Sequence, residues 1–533
     1  MELCDVDATL NPPAVRIPAR FNAAHDLLER NLRAARAGKV AYIDDAGSYT
    51  YADLASRVDR FARSLLHGFG VDMEQRILLC LQDGIDFPTA FLGAIKAGVV
   101  PVPVDTGLAP ADYAYLLQDS RARMLVVSAP LLPQFQAILA HSPYLKHVLV
   151  SGTAPPPPGT RPFHQALEGS AVAFEPAPTS RDEPCFWLYS SGSTGAPKGT
   201  VHVHSSLIET AALYAQATLG LNERDILLSG VKLCFAYGLG NALTFPLAVG
   251  ATAVLMAERA TPTSIGVRLR RHRPTIFSGV PALFASLLAS DELPALGESP
   301  LRLCNSAGAA LPVDLGRRWR KRTGIDIVEG ICSTEMLHIY ISNRPDRIRY
   351  GTLGVPVPGY EAKIVDDDGN PVVRGESGHL LVRGSSSAKF YWNQHERSRA
   401  TFEGPWTRTG DRVRIDKDGD YLYAGRAEDM LNVGGIEISP IEVEAAIVAH
   451  PAVHEAAVVG REDADHLVKP VAYVVLAPGF AASDRLAGEL KAFVKSRLAP
   501  NKYPRRIEFI GELPKSALGN IQRFKLRAAG SGR

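Results

Sequence analysis

The sequence predicts an α/β protein with a large N-terminal domain and a small C-terminal domain. Its 533 residues are too many for a single hydrophobic core. From about residue 21 to residue 150, helical patterns alternate with short apolar runs, which is typical of parallel sheets covered by helices. Short strands separated by turn sequences follow from about residue 351 and predict a β-rich subdomain.

The elements of the N-terminal domain follow from local patterns. A helical pattern runs from Tyr51 to Gly68, and apolar runs from Arg76 to Leu81 and from Met124 to Val127 predict buried strands. The consecutive prolines within residues 151–162 predict a surface loop, because they fit neither a helix nor a central strand. The run from Cys185 to Tyr189 predicts a strand that leads into a glycine-rich loop.

The pattern changes again after residue 425. The segment IEISPIEVEAAIVAH, at residues 436–450, has a proline near a predicted helix start. AAVVG and VKPVAYVVL predict strands, and DRLAGELKAFVKSRL predicts a second helix. Together these elements predict an α+β domain of roughly 100 residues.

Composition and charge exclude several classes of protein. A net charge of +2 without a basic block gives no reason to expect a nucleic-acid partner. The apolar run from Phe91 to Val104 is interrupted by Lys96 and two prolines, so it predicts buried core and no membrane span. The acidic N-terminus lacks a secretory signal, and the 6 scattered cysteines predict neither disulfides nor a zinc site. We therefore expect a cytoplasmic protein that acts on small molecules.

The stretch YSSGSTGAPKGTVHVH, from Tyr189 to His204, has the chemistry of a polyphosphate site. Its glycines allow unusual backbone conformations, its hydroxyls donate hydrogen bonds, and Lys198 supplies a positive charge. The spacing is not that of a Walker loop. From this stretch alone, a flexible surface loop remains an equal alternative.

This stretch closely resembles the phosphate-loop signature of the acyl-adenylating, AMP-binding superfamily. That superfamily includes acyl-CoA ligases, carrier-protein adenylation domains and luciferases. Four further segments follow in the order of the family, namely SAGAAL at 306–311, GICSTE at 330–335, TGD at 409–411 and GRAEDM at 425–430. A single short match would carry little weight, whereas five in order indicate membership.

The resemblance implies a role for each matching residue. Lys198, Thr334 and Glu335 would be catalytic, and Glu335 would also hold Mg²⁺. The implied nucleotide-binding residues are Ser190, Ser191, Gly192, Ser193, Thr194, Gly195, Ser306, Ala307, Gly308, Asp411 and Arg426. Residues 1–425 would bind the acyl group and the nucleotide, residues 426–431 with Asp429 would form a hinge next to Asn432, and residues 432–533 would form a mobile lid.

Other segments are similar to benzoate- and anthranilate-type aryl-CoA ligases. They are KLCFAYGLGN at 232–241, STEMLHIYISNRP at 333–345 and SPIEVE at 439–444. An aromatic acid needs a flat slot with apolar walls and a small floor. The residues suited to this slot are Phe235, Ala236, Tyr237, Gly238 and His338, although ordinary core packing is the alternative for each of them.

The resemblance also implies a reaction in two steps. A carboxylate attacks the α-phosphate of MgATP to form an acyl-adenylate, and a thiol of coenzyme A or phosphopantetheine then displaces AMP. The first step depends mainly on positioning and on cationic stabilisation of the developing charge. The second step makes no comparable demand for a lysine.

Four residues depart from the family pattern, and all lie on the nucleotide side. Asn520, in ALGNIQRF, stands where the family ordinarily has the lysine that contacts the carboxylate and the α-phosphate. Asparagine is shorter and uncharged, so it cannot replace that charge. Asn432 replaces a usual lysine, Ala309 a usual glutamate, and Cys332 a usual glycine.

Three hypotheses follow from this grouping. The first is transfer of a preformed benzoate-type acyl group, such as 2-aminobenzoyl, from CoA to the pantetheine thiol of an acyl carrier protein. The alternative is an ordinary ATP-dependent aryl-CoA ligase, slow at Asn520 or assisted by Lys515 or Lys525. The third is a non-catalytic protein that binds an aroyl group or a nucleotide. The departures favour the transferase, whereas the intact Lys198, Glu335, Asp411 and Arg426 keep the ligase open.

Overall fold

A computed structural model describes residues 1–169, 172–192, 195–433, 436–462, 468–498, 502–516 and 519–528. Within these residues, two sheets form the centre of the N-terminal domain. The first has the strand order Val355–Pro356, Ile339–Ser342, Ile327–Cys332, Leu303–Ser306, Ile276–Gly279, Ile226–Ser229, Thr252–Val254, Val40–Ile43 and Ser48–Thr50. Its central strands pair in parallel and its edge strands pair antiparallel.

The second sheet is parallel throughout. Its strands run in the order Val100–Pro103, Arg76–Cys80, Met124–Ser128, His147–Ser151 and Arg161–Pro162. The helices of the N-terminal domain are Ala23–Arg33, Tyr51–Arg63, Asp86–Lys96, Pro110–Ser120, Gln136–Leu139, His204–Thr210, Ala236–Leu239, Phe245–Val249, Pro262–His272, Pro281–Leu288, Val313–Thr323 and His395–Thr401. Buried aliphatic and aromatic side chains fill the layers between these helices and the sheets. The α/β prediction is confirmed.

The predicted helix from Tyr51 to Gly68 is α-helical only as far as Arg63. Thr50 caps its first turn by accepting a hydrogen bond from the backbone of Asp53. The last residues, Ser64–Gly68, form a wider π-helical turn. The sequence pattern does not distinguish the α-helical part from the π-helical turn, because both bury the same face of the segment.

The glycine-rich segment differs more clearly from the prediction. Strands Pro184–Gly192 and Gly195–Val203 pair antiparallel through most of it, with Ser190 opposite Lys198 and Gly192 opposite Gly195. Most of the predicted loop is therefore a β-hairpin, since its glycines leave the backbone groups free to continue the ladder. Strand Phe390–Tyr391 adds a third strand to this hairpin.

The β-rich subdomain is antiparallel, as predicted from its turn sequences. Its strands are Glu361–Val365, Gly378–Arg383, Phe402–Glu403, Trp406–Ile415 and Tyr421–Arg426. The C-terminal domain has strands Leu431–Val433, Ile436–Ile438, Val453–Glu462, Val468–Leu476 and Arg506–Phe509, with helices Pro440–Val448, Asp484–Lys495 and Arg523–Ala528. It buries cores of its own, which explains why this part of the sequence shows a complete α+β pattern.

The described residues contain no helix that is long and apolar enough to cross a membrane. All the cysteines are free thiols, and four of them are fully buried. Buried thiols of this kind behave as small apolar side chains in the core.

Candidate active site

The β-hairpin presents Lys198 to a carboxylate from a distant part of the chain. Lys198 Nζ lies 3.4 Å from Glu335 Oε1, although 137 residues separate the two in sequence. Tyr391 lies between them, because its hydroxyl donates to Glu335 Oε1 at 2.7 Å and accepts from Lys198 Nζ at 3.2 Å. The hairpin thus builds a compact cation, phenol and carboxylate cluster.

Glu335 is held in its ionised form within this cluster. Burial on its own would raise the pKa of the Glu335 carboxyl, but the Lys198 ammonium and the Tyr391 hydroxyl outweigh it, and the pKa lies below its usual value. An ionised carboxylate next to a polyphosphate-type hairpin is chemically suited to hold Mg²⁺. The residues present therefore fit the magnesium site that the resemblance implies.

Tyr391 was not predicted from the sequence. An isolated tyrosine in a short strand belongs to no motif, so local sequence offered no signal for it. Its position is set by tertiary pairing, in which Thr200 of the hairpin lies opposite Tyr391. The Lys198 ammonium also lies 4.4 Å from the centre of the Tyr391 ring, close enough for a cation–π contact.

The base of the hairpin is anchored to helix Pro110–Ser120. The Tyr189 hydroxyl donates to Asp119 at 2.6 Å, and the indole of Trp392 donates to the carbonyl of the same residue at 2.9 Å. The Tyr115 hydroxyl donates to the carbonyl of Pro197 at 3.1 Å, directly before Lys198. These contacts hold the hairpin that carries Lys198 against the helix.

Thr334 lies in a segment that a buried histidine holds against the hairpin. His202 Nε2 lies 2.8 Å from the Thr334 carbonyl and so donates to it. Burial lowers the pKa of His202 to about 4, so the ring is neutral at physiological pH. The histidine therefore holds the segment that contains Thr334 and Glu335 in place, and it contributes no charge to the site.

Asp411 and Arg426 come together through antiparallel strand pairing. The two residues are opposite each other in register, and Arg426 Nη1 lies 3.0 Å from Asp411 Oδ1. The Tyr423 hydroxyl donates to the same carboxylate oxygen at 3.3 Å. Asp411 is buried whereas the Arg426 side chain is nearly half exposed, at 46%. This pair can bind the hydroxyls of a ribose.

The segment from Ser306 to Leu311 leaves the carboxyl end of strand Leu303–Ser306. Gly308 adopts a φ of +89°, which favours glycine, and the nearest side chain to a Cβ built there is Val280. Ser306 and Ala307 are fully buried at this turn, and the Ser306 hydroxyl has no partner among the described residues. The turn is therefore a candidate surface for a nucleobase.

Cys332 lies beside this turn and close to Asp411. Burial raises the pKa of the Cys332 thiol to about 12, and the Asp411 carboxylate acts in the same direction. The thiol therefore stays protonated at neutral pH and is a poor nucleophile. Its effect on the site is steric, since it occupies volume next to Gly308 and Asp411.

Glu329 supports the same turn from strand Ile327–Cys332. Its Oε1 accepts a hydrogen bond from the backbone of Leu311 at 2.6 Å, and the residue is only 3% exposed. Burial raises the pKa of the Glu329 carboxyl to about 8. The folded protein consequently keeps this carboxyl protonated at pH values where the unfolded chain ionises it.

We expect Glu329→Gln to change how stability depends on pH. The pKa is raised on folding, so Glu329 lowers the free energy of unfolding as pH rises from about 4.5 to about 8. The neutral amide removes this loss, which amounts to at most about 1.4 kcal/mol per pH unit. Urea unfolding at pH 5 and pH 8 should show that the free energy of unfolding of the variant, relative to that of the wild type, is higher at pH 8 than at pH 5. An equal difference in the free energy of unfolding between variant and wild type at both pH values would contradict the raised pKa of Glu329.

The acyl-pocket residues predicted from the sequence lie together around helix Ala236–Leu239. The rings of Tyr237 and His338 are 5.3 Å apart, and both residues are buried. A Cβ at Gly238 would lie 2.0 Å from the carbonyl of Lys232, so only glycine fits there. Phe235 directly precedes the helix and is partly buried against the same core, as is Ala236.

The last loop brings Asn520 near the N-terminal domain. Ser516 donates to the Asn520 carbonyl at 2.8 Å, which closes a tight turn. Gly519 has a φ of +83°, and the atom nearest to a Cβ built there is Cβ of Ala282, at 3.9 Å. The loop therefore lies beside the start of helix Pro281–Leu288, and residues 517–518 are outside the described chain.

Both lysines near this loop make contacts within the C-terminal domain. Lys515 Nζ lies 2.5 Å from the carboxylate of Glu455 in the C-terminal domain. Lys525 lies in the last helix, with its ammonium 5.9 Å from the Phe524 ring. In this arrangement Asn520 is the residue that the turn presents.

The predicted hinge residue Asp429 is bound by two arginines of the last helix. Arg523 Nη1 lies 3.3 Å and Arg527 Nη1 2.8 Å from its carboxylate. Asn432 is exposed on strand Leu431–Val433, in register with Glu437. The last helix, which begins three residues after Asn520, is thus attached directly to the predicted hinge.

The predicted nucleotide-binding residues of the hairpin differ in how much of each is described by the structure. Ser193 and Thr194 lie outside the described residues. Ser191, Gly192 and Gly195 are placed only as backbone of the hairpin. The hydroxyl of Ser190 is buried and has no partner within the described chain, so it is available to a ligand.

Comparison with known proteins agrees with this geometry over nearly the whole chain. The AMP-binding enzyme family matches residues 28–392, and the AMP-binding enzyme C-terminal domain matches residues 442–520. A benzoate–CoA ligase of Thauera aromatica is 57% identical over 98% of this chain and 99% of its own length. A 4-hydroxybenzoate–CoA/benzoate–CoA ligase of Rhodopseudomonas palustris is 45% identical over 95% of this chain and 94% of its own.

Solved structures give the same result. A benzoate CoA ligase from Burkholderia xenovorans LB400 has a TM-score of 0.88 and 51% identity, covering 95% of this chain and 100% of that one. An anthranilate CoA ligase in complex with anthranoyl-AMP has a TM-score of 0.92 and 41% identity, covering 97% of this chain and 98% of that one.

Proposed function

The chain belongs to the AMP-binding enzyme family, and we propose that it is an aryl-CoA ligase that joins a benzoate-type acid to coenzyme A using MgATP. One observation carries the proposal, namely the cluster of Lys198, Tyr391 and Glu335 together with the paired Asp411 and Arg426, whose guanidinium interacts electrostatically with Glu335. The full-length similarity to benzoate–CoA ligases supports the same activity.

Different residues of the site would bind different parts of the substrates during the first step, formation of the acyl-adenylate. Lys198 and the hairpin backbone would bind the phosphates, and Asp411 with Arg426 would hold the ribose. Glu335 would hold Mg²⁺, which neutralises phosphate charge when bound. The pocket around Tyr237 and His338 would orient the aryl acid so that its carboxylate faces the α-phosphate.

The same family relationship supports a moving C-terminal domain. We propose that residues 426–431 act as the hinge between residues 1–425 and residues 432–533. The ion pairs that Asp429 makes with Arg523 and Arg527 tie this segment to the helix that follows the last loop. Rotation at the hinge would then carry Asn520 and the arginines together.

A second candidate function is transfer of an aroyl group from CoA to another pantetheine thiol, such as that of an acyl carrier protein. The departures from the family pattern that the resemblance implies at Asn520, Asn432, Ala309 and Cys332 favour it. The comparisons support the ligase better, because the relatives named above are CoA ligases along the entire chain. The transferase therefore ranks second here, although the replacements alone favoured it.

ATP–pyrophosphate exchange separates the candidates. We expect exchange that requires Mg²⁺ and an added benzoate, 2-aminobenzoate or 4-hydroxybenzoate, and aroyl-CoA formation once CoA is present. Glu335→Gln, which keeps the shape but removes the charge, should lower the exchange. Exchange at background together with loading of a carrier protein from aroyl-CoA would overturn the ligase in favour of the transferase. If neither occurs, only a binding function remains.

A further inference from the structure

A buried carboxylate links a loop of each central sheet next to the acyl-pocket segment, and the reaction steps above do not use it. Asp83 lies between strand Arg76–Cys80 of the second sheet and helix Asp86–Lys96, and it is only 7% exposed. Its two carboxylate oxygens lie 3.2 and 3.4 Å from the backbone nitrogen of Leu233. Leu233 follows strand Ile226–Ser229 of the first sheet, so the backbone of one loop donates to a side chain of the other.

Lys232 adds an ion pair to this contact. Its ammonium lies 4.0 Å from a carboxylate oxygen of Asp83. The same ammonium donates hydrogen bonds to three successive backbone carbonyls, those of Met256, Ala257 and Glu258. Burial raises the pKa of Asp83 to about 6, against the opposing effects of the ammonium and of the backbone N–H, so the carboxylate is mostly ionised at neutral pH. The pair holds the segment firmly, because removing one partner leaves a buried charge uncompensated.

The backbone that this pair holds leads directly into the wall of the proposed pocket. The Lys232 carbonyl accepts a hydrogen bond from the backbone of Phe235 at 3.1 Å, and the Phe235 carbonyl accepts one from Leu239 at 2.7 Å. A Cβ at Gly238 would lie 2.0 Å from the Lys232 carbonyl oxygen. The backbone of Lys232 and helix Ala236–Leu239 are therefore in direct contact, so a shift of one displaces the other.

We propose that Asp83 is a positioning residue for the acyl pocket, because its carboxylate holds the backbone of the segment that carries Phe235 and Tyr237. This inference rests on the proposed aryl-CoA ligase function and adds to it a residue that acts only through the pocket segment. A wall that orients a substrate must be placed closely, since a displacement of about 1 Å can cost about 100-fold in rate. Loss of the Asp83 contact therefore impairs use of the acid and leaves the nucleotide site as it was.

The test separates use of the acid from use of the nucleotide. Asp83→Leu removes both the charge and the acceptor, whereas Asp83→Asn keeps one acceptor for the backbone of Leu233 and also serves where Asp83→Leu does not fold. In ATP–pyrophosphate exchange, we expect Asp83→Leu to raise KM for the aryl acid about tenfold to a hundredfold. Asp83→Asn should raise it less, and KM for ATP should not change in either variant. Equal increases in both KM values, or an unchanged KM for the acid in both variants, would overturn the inference.

Asp59→Asn is the matched control, because it also removes the charge from a buried aspartate–lysine pair of the N-terminal domain. Asp59 pairs with Lys96, and the two side chains are 13% and 9% exposed. This variant should lose stability in urea unfolding without a change in KM for the acid. If Asp59→Asn raises KM for the acid as much as Asp83→Asn does, the effect comes from general instability and the positioning role is overturned.

Titration calorimetry of the full chain with benzoyl-CoA and with MgATP distinguishes failure of this inference from failure of the proposed function. Asp83→Leu should bind benzoyl-CoA more weakly than the wild type and MgATP equally well. That result supports the positioning role even if the wild type shows no exchange, which would overturn only the ligase. Unchanged benzoyl-CoA binding would overturn the positioning role alone. Absence of both exchange and benzoyl-CoA binding in the wild type would overturn both.

Discussion

We expect Asn520→Lys to raise the rate of aryl-adenylate formation by about 100- to 1000-fold, measured as ATP–pyrophosphate exchange under saturating acid and ATP. Attack on the α-phosphate concentrates negative charge at phosphorus, and a lysine at the turn closed by Ser516 and Asn520 would supply a cation that asparagine lacks. The turn that carries Asn520 lies beside Ala282, at the start of helix Pro281–Leu288 of the N-terminal domain.

Two matched variants test whether charge is the cause. Asn520→Gln lengthens the side chain without adding charge and should leave exchange near the wild-type rate. Lys515→Ala removes the nearest alternative cation, which the structure pairs with Glu455, and should also have little effect. If Asn520→Lys gives no gain, the wild-type rate is not limited by the missing lysine. The gain also requires rotation at the proposed hinge to bring residue 520 to the phosphate. The substitution therefore tests both the effect of a lysine charge and the proposed rotation.

Arg523→Ala is expected to destabilise the C-terminal domain by about 3–5 kcal/mol. The Arg523 guanidinium is 9% exposed and donates to both oxygens of Glu444, at 2.8 and 2.7 Å, and also to Asp429 at 3.3 Å. Removing it leaves the buried Glu444 carboxylate without this partner. The measurement is urea unfolding followed by a probe in the C-terminal domain.

Arg527→Ala provides the matched control for this effect. Arg527 pairs with the same Asp429 at 2.8 Å, but its side chain is 35% exposed. A partly exposed pair contributes little, so the expected loss is at most about 1 kcal/mol. Replacing the buried pair together, as Arg523→Met with Glu444→Leu, should recover part of the stability, because no buried charge is then left alone, although the Val458 N–H loses its Glu444 acceptor. Similar losses for Arg523→Ala and Arg527→Ala would contradict the buried-pair explanation.

The choice between ligase and transferase depends on how four single residues are weighed against the similarity of the whole chain. The resemblance places Asn520, Asn432, Ala309 and Cys332 on the nucleotide side, and on their own these four residues favour a loss of adenylation. Each is a single side chain, whereas the similarity to benzoate–CoA ligases extends over 98% of the chain. Many contacts share the stabilisation of a transition state, so losing one donor slows a step without defining a new reaction.

Sequence patterns were sufficient to predict the fold class, the family and the order of the chemical segments. Periodicity and turn residues depend on local physics, which is why the parallel sheets and the α+β C-terminal domain could be predicted. The resemblance to the AMP-binding superfamily implied Lys198, Glu335, Asp411 and Arg426 as candidates, and the structure brings them together in two pairs.

The other groups that complete the site depend on the tertiary structure. Tyr391 contacts Glu335 because strand Phe390–Tyr391 pairs with the hairpin, which is distant in sequence. No local pattern marks Tyr391, since its role arises from contacts between separate elements. The ion pairs around Arg523 depend in the same way on residues that only the fold brings together.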